Sequence, residues 1–480
     1  MIMNPAPCRD ARPVRPPATT NTTAYYAPRE SGRTSRASLR GVMRLVCCLA
    51  LLPLGAEMRA AEPVEKYFAR YLSGDERPYE GRRRLRSVDE AREAVWEAWC
   101  AANAAADEEA LPPLGPLAES DTAVWHLPAV LEPDAQMRFR WGAKGDSVPA
   151  EGLPLFIQLH GSGPRDSEWA ANFALAQRFD DAPSAYFVPQ IPREGEWYRW
   201  YHRSKQWAWE KLLRRALASG AIDPDRIYLF GISEGAYGSQ RLASFYADYL
   251  AGAGPMAGGE ILYEAPPVNL RHTAFSLLTG ADDYMFGRDL LTARAAVELD
   301  SLQALHPGDY DHRVELIPGR GHHIDYSPTT PWLAARRREA RPRDWTWEDF
   351  ALDGRHRRGF YNLQIDERPD STRRTLYDVS ISGNDIDITV NFVDYEPALR
   401  EPRWNIPVVY RRTLTPATGG AMTLYLDETL VDLSHPVRVS VNGRTAFSGR
   451  LKPDLAALVN SCALFGDPRR LYPVALPLRP

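Results

Sequence analysis

The residues best placed to do chemistry are a serine set between glycines, Gly231-Ile232-Ser233-Glu234-Gly235. With Gly and Ser each near roughly 7% of residues, Gly-x-Ser-x-Gly arises by chance about 0.15 times in a chain this long. It follows the apolar run Ile227-Tyr228-Leu229-Phe230 and precedes a helical pattern. A tight strand–turn–helix leaves room only for small residues two places either side of the serine, which it pushes outward. The helix start behind it adds partial positive charge. A plain Gly/Ser turn is the alternative. A serine hydroxyl is a weak nucleophile and needs a base, itself oriented by a third group. Two turns offer such partners. Gly280-Ala281-Asp282-Asp283 follows one apolar run, and Gly319-Arg320-Gly321-His322-His323 follows another. Either carboxylate and either imidazole has the right chemistry. His322-His323-Ile324-Asp325 also suggests a metal site, but no second cluster has ligand spacing, so no metal is expected.

The elements that must position these groups are legible. Strand candidates span 153–159, 185–189, 226–230, 273–279 and 312–317, and helix candidates span 167–179, 204–217, 234–249 and 288–305. Their alternation predicts an α/β fold with a mostly parallel sheet covered on both faces, over residues 117–342. Upstream, 62–116 reads as a helical segment, with Val95, Trp96 and Trp99 at helix spacing, closed by the linker Leu111-Pro112-Pro113-Leu114-Gly115-Pro116. From 343 to 480 short strand-like runs dominate, at 375–380, 386–392, 422–426, 437–441 and 445–447. That stretch predicts an all-β sandwich. Asn442-Gly443 between its last two runs favours a tight hairpin turn.

The chain has 480 residues, enough for more than one core without disulfides or metals. Its formal net charge of −4 argues against a nucleic-acid partner. Only five of its 58 basic residues are Lys, so Arg clusters such as 336–338 read as composition bias on a solvated face. Residues 1–42 predict disorder or a mis-assigned start. Met43-Arg44 and the apolar run 45–52, followed by small residues around Ala60-Ala61, predict a signal peptide over 43–61. The run is too short to span a bilayer, so no stable membrane span is expected after signal removal, and the location is secreted or periplasmic. A buried helix is the alternative. Cys100 and Cys462 would remain in the mature chain, read as packed thiols, with one disulfide as the other possibility.

These motifs resemble the α/β-hydrolase superfamily. The nearest branches are the esterase-D and polyhydroxyalkanoate-depolymerase-like esterases and the prolyl-oligopeptidase-like hydrolases. The resemblance covers roughly residues 120–340 and rests on His160–Gly163, Gly231–Gly235, Asp283 and His322. It implies the chain order nucleophile, acid, base. Ser233 is then the nucleophile, Asp283 the orienting acid (Asp282 the alternative) and His322 the base (His323 the alternative). His160-Gly161-Ser162-Gly163 is similar to the His-Gly loop of lipases and esterases. It implies an oxyanion hole built from the N–H groups of Ser162 and Glu234, with Gly161 permitting close approach. Such donors are worth roughly 3–4 kcal/mol each. The stretches Thr330-Pro331-Trp332-Leu333 and Trp345-Thr346-Trp347-Glu348 look like secreted bacterial hydrolases with an appended C-terminal β-domain. Prolyl oligopeptidases carry a large propeller before the catalytic domain, and this chain has only a short helical stretch there.

The expectation is an exported carboxylic-ester hydrolase that works through an acyl-enzyme and needs no cofactor. Its substrate would be a small-molecule or polysaccharide-linked ester. A serine peptidase with the same residues is the first alternative, and an inert binding protein on the same scaffold is the second. Trp197, Tyr198, Trp200 and Tyr201 follow a strand end on the site's side, where they either wall a substrate pocket or pack between elements.

Overall fold

The computed structural model describes residues 62–106 and 108–479. The predicted leader, 1–61, lies outside the described residues. Eight strands form one sheet: β1 Ala123–His126, β2 Gln136–Lys144, β3 Leu153–Leu159, β4 Ser184–Pro189, β5 Ile222–Ile232, β6 Gly252–Met256, β7 Ala274–Gly280 and β8 His312–Ile317. Their spatial order is β1-β2-β4-β3-β5-β6-β7-β8. The six strands from β4 to β8 run parallel, while β1 and β2 are antiparallel at one edge.

Every residue of β3, β4 and β7 is buried, as a parallel sheet covered on both faces requires. Successive side chains of a strand point to opposite faces. Leu155, Ile157 and Leu159 accordingly join one apolar cluster and Phe156 joins another. The first cluster takes in the helices α4 Arg203–Ala218, α5 Glu234–Phe245 and α6 Arg288–Leu305. The second takes in α3 Arg165–Ala176 and α7 Thr329–Ala334. This arrangement fits an α/β-hydrolase fold.

The remaining strands form two further sheets. β10 Gly359–Phe360, β11 Leu363–Glu367, β15 Ala421–Leu426 and β18 Val474–Leu478 make one. β9 Asp344–Asp349, β12 Arg374–Ser382, β13 Asp385–Glu401, β14 Ile406–Pro416, β16 Val437–Val441 and β17 Arg444–Gly449 make the other. Their core is continuous with that of the large sheet, since one cluster runs from Trp125 on β1 to Trp347 on β9 and Leu478 on β18. The turn at Asn442-Gly443 has φ of 48° and 75°, both in the left-handed region, and joins β16 to β17.

Three expectations need correction. The C-terminal stretch is not all-β, because α8 Leu455–Phe465 lies within it. Eight of its eleven residues are buried. A short helix that is apolar all round leaves no 3.6-residue pattern to read. β6, written Gly-Ala-Gly-Pro-Met, carries no strand signature either, since neither Gly nor Pro favours a strand interior. Third, β13 runs on well past residue 392, to Glu401. The upstream helices α1 Val64–Leu72 and α2 Val88–Ala105 pack on α8 through Phe68, Trp99 and Leu458. Cys100 and Cys462 are free thiols. Among the described residues no helix is long and apolar enough to cross a membrane.

Candidate active site

Ser233 sits between the end of β5 and the start of α5, with φ 58° and ψ −114°. A non-glycine residue at positive φ is strained, and such strain persists only where surrounding structure enforces it. Here close packing does so. A Cβ on Gly235 would meet the Leu159 carbonyl oxygen at 2.3 Å, and one on Gly231 would meet the Gly235 oxygen at 2.4 Å. Both contacts are with backbone, so neither position accepts a side chain.

Three strand ends bring the other groups to this serine. His322 follows β8, and its Nε2 lies 3.0 Å from Ser233 Oγ. Asp283 follows β7, and its Oδ2 lies 2.6 Å from His322 Nδ1. The carboxylate is buried, whereas about a third of the His322 side chain faces solvent. Of the neighbouring alternatives, Asp282 instead accepts from the Tyr284 hydroxyl at 2.7 Å, and the His323 ring centre stands 6.0 Å from that of His322. Asp283 has a second partner, which sequence reasoning missed. Arg288, at the start of α6, donates from Nη1 to Asp283 Oδ1 at 2.9 Å and from Nε to the Tyr237 hydroxyl at 2.7 Å. Nothing in the sequence marks this arginine among so many.

The loop after β3 lies against the nucleophile. A Cβ on Gly161 would stand 3.3 Å from that of Ser233. Two donors hold the Gly161 carbonyl: the Tyr198 hydroxyl at 2.5 Å and His160 Nδ1 at 2.8 Å. The Ile191 N–H donates to His160 Nε2, so the ring proton is on Nδ1. Burial pushes the His160 imidazole down to about 4, which keeps it neutral. Trp200 Nε1 donates to the His160 carbonyl at 3.0 Å. Each peptide unit is planar and trans, so its C=O and N–H point opposite ways. Pinning the Gly161 carbonyl therefore fixes the direction of the Ser162 N–H. The Glu234 N–H opens α5 and is one of the four that a helix start leaves without an intrahelical acceptor.

The aromatic segment thus does not wall a pocket as a unit. Trp200 is fully buried and Tyr198 nearly so, both under the loop. Tyr201 stacks on Arg241, with the guanidinium carbon 4.2 Å from the ring centre, and Trp197 sits over Lys205 at 5.7 Å. The side chain of Glu234 is buried beside Arg199, 3.3 Å away, and burial pushes its carboxyl up to about 7. Among the described residues no group of three His, Cys, Asp or Glu side chains could hold a metal ion. A cavity of about 1030 Å³ lies between α1, α8 and the four-stranded sheet and includes no residue of the site.

No family model matches the chain, and no curated protein matches it. Solved structures align with part of the chain. A thermostable esterase aligns with TM-score 0.35 and 19% identity, over 46% of this chain and 64% of that one, just under two thirds of its length. A fluorophosphonate-binding serine hydrolase from Staphylococcus aureus gives 0.34 and 12%, over 46% and 99%. A carboxylesterase from Mesorhizobium loti gives 0.31 and 19%, over 41% and 94%. Likeness at these scores carries no weight for the activity.

Proposed function

We propose that the protein hydrolyses carboxylic esters through an acyl-enzyme on Ser233. One observation carries this reading: a single imidazole, His322, bonds the Ser233 hydroxyl through one nitrogen and a buried carboxylate through the other. Ser233 Oγ attacks the ester carbonyl while His322 Nε2 takes its proton. Asp283 holds Nδ1–H and steadies the imidazolium that forms. The oxyanion is met by the N–H groups of Ser162 and Glu234, each already fixed in direction. His322 then passes its proton to the departing alcohol. Water repeats the sequence on the acyl-enzyme and releases the acid. Export belongs to the same proposal and is supported by the sequence of the leader alone, Met43-Arg44, the apolar run 45–52 and the small residues around Ala60-Ala61.

The test is labelling by a fluorophosphonate, with hydrolysis of p-nitrophenyl acetate measured beside that of aminoacyl-nitroanilides. The reading expects labelling, faster turnover of the ester, and loss of both in Ser233→Ala. Greater efficiency on the anilide would assign a peptidase. Absence of labelling would leave only a binding protein on this scaffold.

A further inference from the structure

β13 and β14 form a hairpin that outruns its sheet. β12 pairs with β13 only as far as Val393, whereas β14 stays paired with β13 out to Glu401 opposite Ile406. Beyond Val393 the two strands pair only with each other, and Tyr395 and Tyr410 seat them on Tyr263, ring centres 5.4 and 5.6 Å away. The hairpin ends against the acid-bearing loop. At its tip the Trp404 ring packs on Phe286, centroids 4.8 Å apart, and the Glu401 side chain reaches within 3.6 Å of where a Cβ on Gly287 would stand. The Glu401 carboxylate accepts from the backbone N–H groups of Arg403 and Trp404 at 3.0 and 2.6 Å, which sets the indole in place.

The loop that receives the tip is unusual. Tyr284, Met285, Phe286 and Leu290 are 57%, 54%, 43% and 45% exposed, the densest run of exposed large apolar side chains among the described residues. Phe286 holds φ of 57°, a strained value for a bulky side chain. Packing on Trp404 still leaves much of Phe286 in solvent, and a contiguous apolar patch marks a contact site. Its position says which one. Tyr284 directly follows Asp283, and Phe286 lies 5.4 Å from the guanidinium of Arg288, which bonds the same carboxylate. The Trp404 indole N–H is buried and meets no acceptor among the described residues.

We propose that Tyr284, Met285, Phe286 and Trp404 form a ledge that binds the apolar group of the ester, so that the hairpin sets substrate selectivity. This rests on the ester-hydrolase reading. The ledge favours esters with a long aliphatic or aromatic group, and the C-terminal region contributes a binding residue rather than a brace alone.

The test compares the full chain with Trp404→Ala and Trp404→Phe in two series. One varies the acyl group, as p-nitrophenyl acetate, butyrate and octanoate. The other varies the alcohol, as methyl, butyl and octyl acetate. The expected result is that Trp404→Ala lowers the ratio of kcat/KM for the longest member to that for the shortest about tenfold, as losing an apolar contact of this size does. The loss falls in one series, which identifies the side of the ester the ledge holds, and Trp404→Phe restores most of it. Ratios unchanged within twofold in both series overturn the proposal, whether or not absolute rates fall. A change in oligomeric state with unchanged ratios assigns the patch to self-association instead. A native chain that turns over no ester in either series fails the function itself, a different outcome.

Discussion

Arg288 Nη1 lies 2.9 Å from Asp283 Oδ1 and 3.3 Å from His322 Nδ1, so one guanidinium abuts both the carboxylate and the imidazole that reach Ser233. Asp283 divides its two oxygens between the arginine and the imidazole. A carboxylate held at both oxygens cannot rotate away from the histidine. On the proposed ester-hydrolase reading Arg288 is a positioning residue, and it comes from α6 rather than from any motif.

Replacing it tests this directly. Arg288→Met leaves a buried carboxylate oxygen without its cation, which costs about 3 kcal/mol of stability. Urea unfolding should show that loss. In the surviving folded protein kcat should fall about tenfold with KM little changed, because orientation and not substrate binding is impaired. Arg288→Lys should recover stability better than rate, since an ammonium lacks the planar fork. Wild-type kcat in Arg288→Met would remove the positioning role.

Tyr198→Phe deletes one of two donors on the Gly161 carbonyl. The peptide carrying the Ser162 N–H then loosens, and kcat should drop about tenfold, less than removing an oxyanion donor outright. Because burial holds His160 neutral, its pKa near 4, the remaining donor does not titrate near neutrality. The ratio of wild-type to variant kcat should therefore be constant from about pH 6 to 9. A ratio that varies with pH, or a loss expressed in KM alone, would point elsewhere.

Glu234 gives a pH dependence of stability. Burial raises its carboxyl from 4.5 to about 7 in the folded chain. Between those values the folded state keeps a proton that the unfolded state has released. Its contribution to stability therefore falls as pH rises through this window, by roughly 3 kcal/mol, and does not change outside it. Glu234→Gln should remove that component. Urea midpoints of both proteins at about pH 5 and 7.5 measure it. Parallel changes in the two would exclude Glu234 as the source.

The C-terminal sheets are tied to the eight-stranded sheet and its helices by buried charge. Asp248, between α5 and β6, is fully buried and bonds Arg357 and, at 2.5 Å, Arg470. Asp467 holds Arg338 and Arg470, each at 2.8 Å. Asp248→Asn leaves two buried guanidiniums short of an anion, at a cost of about 3–5 kcal/mol. Calorimetry should show a lower Tm within one cooperative transition. Two separate transitions in the native protein would mean the regions fold independently.

How much of this is legible in the chain depends on range. Candidates 153–159, 312–317 and 288–305 coincide with β3, β8 and α6, because runs of apolar residues and helical spacing are local signals. The same locality makes Asn442-Gly443 a turn, since only such residues accept positive φ cheaply. α8 and β6 are illegible because burial on all sides erases periodicity in one and Gly and Pro mask the strand in the other. Composition is an equally poor guide to the aromatic segment. A run of Trp and Tyr after a strand end suits a pocket wall and a packed core alike, and Trp200 lies wholly in the core beneath the loop.

By itself the sequence determined the elbow at Ser233, where two glycines four residues apart permit a backbone no other residues allow, and the strand ends from which partners could come. It put Asp283 and His322 first, with Asp282 and His323 beside them as alternatives. The tertiary structure brings Asp283 and His322, and not their neighbours, to the serine. It also brought Arg288, Tyr198 and Trp404 to the site's edge. The reason is physical: spacing along a chain encodes dihedral preference and periodicity, whereas contact between groups 39 and 89 residues apart depends on how strands stack and helices pack.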